Sequence, residues 1–199
     1  MNKYVVYNPI NKHNTLTIFD WDDTLFPTTE INGLSSTVLS RNIRLMLDKL
    51  DNINYNLLNN FMGKGKVMIV TNASLNWIKY TMQYLPNTAD LIKRKNIEIY
   101  SARDNFKDQL PDTLWKIATF NKITNNMNKY INIISIGDAQ YEYDALVNLN
   151  EFLKYPKYLK SVKLMRYPSF EKLLDQLSVL NLKSGNIIRH KNNLDLSFE

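Results

Sequence analysis

Three carboxylates, Asp20, Asp22 and Asp23, stand within four residues, directly after the apolar alternation Thr15-Leu16-Thr17-Ile18-Phe19 and just before Thr24. Acids crowded at the end of a strand repel one another unless a cation or a chemical task offsets the repulsion. A plain acidic surface turn is the competing reading of a D-x-D-x-T match taken alone. Cysteine is absent, which removes thiolate ligands and thiol nucleophiles, and only His13 and His190 supply imidazole. Both histidines are isolated and read as structural or surface residues, so chemistry in this chain must rest on carboxylates and lysines.

At 199 residues and 44% hydrophobic the chain suits one well-packed domain. It contains no apolar run near the roughly 20 residues of a membrane span, and Met1-Asn2-Lys3-Tyr4 opens no signal-peptide apolar region. The expectation is a cytoplasmic protein, not secreted and not in a membrane. A net charge of +6 gives attraction to polyanions. The longest consecutive basic run is only Lys93-Arg94-Lys95, with Lys154, Lys157 and Lys160 a loose cluster, so a solvated basic surface is the plainer reading than a dedicated nucleic-acid groove.

Strand patterns recur at 15–19, 66–70, 97–100, 131–136 and 161–165, separated by segments of helical period, which predicts an α/β fold. Ser36 can cap a first helix whose Leu39, Ile43, Met46, Leu47 and Leu50 share one face. Further helices are expected at 112–123, at 143–153 and at 169–180, with two more and a strand between 72 and 112. Tyr4-Val5-Val6-Tyr7 reads as an added edge strand in an N-terminal extension, 1–14. The main domain then covers 15–180, and Ser184-Gly185 marks a turn within a tail, 181–199, to which no function is given.

In parallel α/β sheets, ligands gather at the carboxyl ends of the strands, near the point where strand order reverses. Asp20 and Asp22 follow the first predicted strand, Thr71 and Asn72 the second, and Gly137-Asp138 the fourth. Acids and small polar groups at three strand ends are harder to dismiss than one turn.

This ordered set resembles the haloacid-dehalogenase-type (HAD-like) phosphohydrolase superfamily. The first motif of that superfamily, an apolar strand followed by D-x-D-x-T, is similar to Asp20-Trp21-Asp22-Asp23-Thr24. The second matches Val67-Met68-Ile69-Val70-Thr71, the third Lys116, and the fourth Ile133-Ile134-Ser135-Ile136-Gly137-Asp138 with Glu142. Lys107 rivals Lys116, and Asp144 rivals Glu142. The resemblance spans about 15–165 and implies a Rossmann-like three-layer α/β/α sandwich on a mainly parallel five-stranded sheet, with little or no cap domain. The wording Phe-Asp-Trp-Asp-Asp-Thr-Leu is similar to that of a branch that brings no substrate assignment with it.

The resemblance implies an aspartyl-phosphate route. Asp20 is the expected nucleophile, and Asp22 the acid that protonates the leaving oxygen and then activates water. Mg²⁺ is the expected cation, held by Asp20, the Asp22 main-chain carbonyl and Asp138. The Thr71 hydroxyl and the Asn72 amide are expected to hold phosphate oxygens, Thr24 to orient Asp22 at the substrate, and Lys116 to supply fixed positive charge. Glu142 is expected behind these, steadying metal waters or Lys116. Asp23 reads as a local turn acid, a helix cap is the alternative to metal binding for Asp138, and Trp21, Trp115 and Tyr141 are candidates to flank the site, with core packing the favoured reading for Trp115.

Two aspartates favour phosphate chemistry over dehalogenation, which needs no leaving-group acid. The residues from 25 to 66 and from 72 to 112 leave room for at most a small flap. An open site suits hydrolysis of a phosphate on a bulky partner, such as a nucleic-acid end or a phosphoprotein. The alternatives are a small-metabolite phosphatase with a lid from a partner subunit, and a non-catalytic binding module that keeps the fold and metal site.

Overall fold

The computed structural model describes residues 9–34, 39–124, 129–152 and 157–198. The predicted strand at Tyr4 to Tyr7 and the Ser36 cap lie outside the described residues. Six parallel strands run in the order β3-β2-β1-β4-β5-β6: β1 (Thr15–Phe19), β2 (Lys66–Thr71), β3 (Glu98–Ser101), β4 (Asn132–Gly137), β5 (Tyr158–Lys163) and β6 (Leu194–Ser197). The connections carry helices α1 (Thr28–Asn32), α2 (Arg41–Met62), α3 (Leu75–Met82), α4 (Pro86–Arg94), α5 (Ala102–Phe106), α6 (Asp112–Thr124), α7 (Gln140–Phe152) and α8 (Phe170–Arg189). This is the α/β arrangement that the alternation predicts, consistent with a Rossmann-like sandwich, and the order reverses between β1 and β4.

The central strands are buried on both faces, so their side chains divide between two apolar layers. Phe19, Val67, Ile69, Ile134 and Ile136 join Leu50, Leu57, Phe61, Leu173 and Leu177 under α2 and α8, while Leu16, Ile18, Met68, Val70 and Ile133 join Phe120, Ala145 and Leu149 under α6 and α7. Ser40, not a residue further upstream, caps α2 by accepting the Ile43 N–H. The connection from β1 to β2 holds α1 and α2, and that from β2 to α6 holds α3, α4, β3 and α5, so among the described residues no separate cap domain is built.

The sheet has six strands where five are expected, and the predicted tail is the reason. α8 continues through Ser184 and Gly185 to Arg189, and β6 then adds to the edge of β5. A mid-helix glycine costs about 1 kcal/mol, whereas Leu180, Ser184, Ile187 and Ile188 are all buried along this helix, so packing outweighs propensity. The last turn of α8 ends on the sheet. Lys160, fully buried in β5, donates from Nζ to the Ile187 and Ile188 carbonyls at 2.8 Å each, and Asn132 Nδ2 donates to Ile188 at 3.1 Å. Carbonyls that have no partner within the helix are thereby satisfied. That use of Lys160 also explains why β5 begins earlier than its apolar run predicts.

Candidate active site

β1 and β4 lie side by side with Phe19 opposite Ile136, and the Asp20 N–H donates to the Ile136 carbonyl at 2.9 Å. Asp20 and Asp138 therefore leave the sheet from adjacent strand ends at the reversal point. Carboxylate oxygens of Asp20, Asp138 and Glu142 come within 4.8 Å of one another, and all three residues are buried. Lys116 reaches them from α6, only 2% exposed. Its Nζ bonds Glu142 Oε1 and lies 3.0 Å from Asp20 Oδ1, an ion pair without a directed hydrogen bond.

Gly137 makes room for this contact. A Cβ at that position would stand 2.4 Å from Glu142 Cγ, so only glycine lets the acid fold back over the strand end. The second Glu142 oxygen, Oε2, accepts the Ala139 N–H at 3.0 Å. With both oxygens engaged, Glu142 is oriented toward Lys116. Asp144, its rival, is exposed and accepts from Gln140 Nε2, and Lys107 is exposed at the end of α5.

The chain after Asp20 turns sharply. Leu25 and Phe26 donate to the Trp21 carbonyl at 2.8 and 2.9 Å, the Asp23 N–H donates to Phe26, and Asp23 adopts the left-handed region at φ 50. Asp23 is buried and accepts both the Thr29 N–H at 2.9 Å and the Thr29 hydroxyl at 2.6 Å, which anchors the start of α1. Thr24 is enclosed in the turn, its hydroxyl without a partner among the described residues. The Asp22 carbonyl accepts none of the turn's hydrogen bonds. The Asp22 carboxylate stands apart from the Lys116 cluster and is held by Thr28 Oγ1 and by Trp77 Nε1, the latter at 2.8 Å.

Trp77, on α3, has no signal in the local sequence, because its partner Asp22 is 55 residues away. A tryptophan at a helix face ordinarily reads as packing, and only the fold brings its indole N–H to the acid. Trp21 has the packing role instead, fully buried with Nε1 on Thr81 Oγ1, and Trp115 donates to Leu110 O, so neither flanks the cluster. Tyr141 is half-buried beside Glu142 in sequence, with no hydrogen bond to the acids. On β2, Thr71 Oγ1 accepts the Ala73 N–H, leaving its proton free to donate, and the Asn72 Oδ1 is buried with no partner.

The electrostatics follow from this enclosure. Loss of water, and then the neighbouring Asp20 charge, push Asp138 up to about 7, with Lys116 pulling the other way. Burial also raises Asp22, opposed by the Thr28 and Trp77 hydrogen bonds and reinforced by Asp20 and Asp23. One ammonium faces three buried carboxylates, so when all are ionised two negative charges stay uncompensated, the charge of one divalent cation. Hard carboxylate oxygens suit an oxygen-loving ion, and with both Glu142 oxygens engaged Asp20 and Asp138 are the carboxylates available to bind one.

Two clefts lie away from the acids, one between α2 and the α3–α4 corner around Arg44 and Tyr84, the other between α7 and β6 around Val147 and Asp195. The acidic cluster itself lies at the carboxyl ends of β1 and β4. Compared with protein-family models, with curated proteins and with solved structures, the chain matches none of them.

Proposed function

We propose that the chain is a Mg²⁺-dependent phosphomonoesterase of the HAD-like kind, working through an aspartyl-phosphate on Asp20. The observation that carries this reading is the meeting of Asp20 after β1, Asp138 after β4, Lys116 of α6 and Glu142 of α7 at the strand-order reversal. A structural ion-pair network has no need of a further carboxyl held half-buried with a raised proton affinity.

Asp20 and Asp138, with the Asp22 carbonyl, are the residues that would hold the cation, whose contribution when bound is to neutralise phosphate and carboxylate charge so that they can approach. Asp20 Oδ attacks phosphorus and the P–O bond to the substrate breaks. Asp22 gives its proton to the departing oxygen, then takes one from the water that cleaves the aspartyl-phosphate to inorganic phosphate. Raised proton affinity lets Asp22 hold that proton nearer neutral pH, while Trp77 and Thr28 fix where it points. Lys116 steadies the Asp20 carboxylate and the charge on the transferring group, and the Thr71 hydroxyl and Asn72 amide bind the remaining oxygens.

The absence of a separate cap domain among the described residues suits a phosphate displayed on a large molecule. Release of phosphate from an aryl phosphate in Mg²⁺, lost in Asp20→Asn and on adding EDTA, is the expected result. Activity that survives Asp20→Asn in a folded protein would refute the nucleophile assignment.

A further inference from the structure

The chain leaving β2 is gripped from the end of β3. Thr71 and Ser101 stand opposite each other in the register of the two strands, and both are buried. Between their side chains the backbone of Ala73 is held at both of its polar atoms. Its N–H donates to Thr71 Oγ1 at 3.0 Å, and its carbonyl accepts from Ser101 Oγ at 2.7 Å. A hydroxyl has one proton, so a Thr71 oxygen that accepts from Ala73 must aim that proton elsewhere, and the placing of Ala73 sets where it can go. Asn72 lies between the two tied residues. Thr71 and Asn72 are the pair that holds phosphate oxygens in the proposed reaction.

Asp104, in α5, extends the grip to the next helix. Its N–H donates to Ser101 Oγ at 2.9 Å, and its Oδ2 accepts the N–H of Leu75, the first residue of α3, at 2.8 Å. A helix starts with N–H groups that lack an internal partner, and its dipole favours a carboxylate there. Ser74 accepts the Trp77 N–H at 3.2 Å, so the first turn of α3 is fixed by one oxygen from its own cap and one from α5. From that turn Trp77 Nε1 reaches the Asp22 carboxylate at 2.8 Å. The Ser101 hydroxyl, donating to Ala73 and accepting from Asp104, joins the two ties.

We propose that Ser101 and Asp104 are positioning residues of the site. Ser101 sets the strand end that presents Thr71 and Asn72, and Asp104 sets the turn of α3 that brings Trp77 onto Asp22. Their effect on turnover rests on the phosphomonoesterase reading, whereas the hold of Asp104 on Trp77 does not. The two ties have different kinetic consequences. Phosphate oxygens are held before and during transfer, so a loosened Thr71 costs affinity, while Asp22 acts as the proton moves, so a displaced Trp77 costs rate.

The test combines steady-state hydrolysis of an aryl phosphate in Mg²⁺ with proton–nitrogen correlation spectra of the full-length protein in EDTA. Asp104→Ala should lower kcat about ten-fold with KM within about two-fold, and Asp104→Asn, which keeps an oxygen acceptor, should retain kcat within about three-fold. Ser101→Ala should raise KM about three-fold or more. In a Trp77→Phe background Asp104→Ala should cost less than about two-fold further, because its path runs through Trp77. The chain has three tryptophans, and the Trp77 indole resonance is the one lost in Trp77→Phe. Asp104→Ala should move it while the resonance of Trp115, which donates to Leu110, stays in place. An unmoved Trp77 resonance, an unchanged kcat in Asp104→Ala, an unchanged KM in Ser101→Ala, or an undiminished loss on top of Trp77→Phe would overturn the assignment. Turnover alongside any of these leaves the phosphomonoesterase reading standing. Should wild type hydrolyse no phosphate ester, that reading fails, while a moved Trp77 resonance still supports the tie from Asp104 and an unmoved one still refutes it.

Discussion

Replacing Asp138 with Asn should make the metal-free protein more stable while removing its activity. Burial and the Asp20 charge hold the Asp138 carboxyl at about 7, against an ordinary value of 3.8. Between those values the folded state binds more protons than the unfolded state, so stability falls as pH rises through this window. At 1.36 kcal/mol per unit, the full shift corresponds to roughly 4 kcal/mol above pH 7, most of it arriving between pH 5 and pH 8. Relaxation around the buried acid takes up part of this, leaving about 2–4 kcal/mol. Asn has nearly the same shape and does not titrate, so its advantage grows with pH. For a chain of this size about 2 kcal/mol is a rise of roughly 4–8 °C in Tm. Thermal melts in EDTA at pH 5 and pH 8 are the assay, and Asp138→Asn should melt above wild type chiefly at pH 8. In Mg²⁺ the order should narrow or invert, since the cation stabilises only the protein that binds it. A variant that melts below wild type at pH 8 in EDTA, or by the same margin at both pH values, would refute the account of this acid.

Gly137→Ala sets a Cβ against Glu142 and should displace it from Lys116, lowering phosphate release by about ten-fold or more with a modest change in Tm. Trp77→Phe removes a hydrogen bond to the ionised form of Asp22, so the Asp22 value should rise further and the pH–rate profile should shift to higher pH. Lys160→Met leaves the Ile187 carbonyl at the end of α8 without its donor, and Ile188 with Asn132 alone, and should destabilise the fold by roughly 1–3 kcal/mol in denaturant melts, with no direct effect on the acids. Titration of Mg²⁺ by calorimetry should give an apparent affinity that rises with pH toward about 7, because the cation competes with the proton on Asp138.

What could be read from the chain is what is local. The strand ahead of Asp20 and the pairing of Gly137 with Asp138 sit in short windows where period and residue type agree, and a parallel sheet then brings both ends together. Glu142 is five residues past Gly137, within reach of one helical turn. Lys116 and Lys107 could not be separated in sequence, because the weak apolar stripe of α6 does not tell whether Lys116 faces the sheet. Trp77 was invisible for a different reason, since its bond to Asp22 exists only once α3 packs beside the turn after β1. The last 19 residues misled because Ser184 and Gly185 punctuate most helices, whereas here Ile187 and Ile188 lie buried and Lys160 closes the helix end from a strand.

The most direct test is to quench the protein in acid during turnover of an aryl phosphate in Mg²⁺ and determine by mass spectrometry where phosphate is attached. One phosphoryl group on the peptide containing Asp20, removed by hydroxylamine and absent from Asp20→Asn, is the predicted result. Sustained turnover with no phosphate on the protein, or with phosphate on another residue, would contradict it.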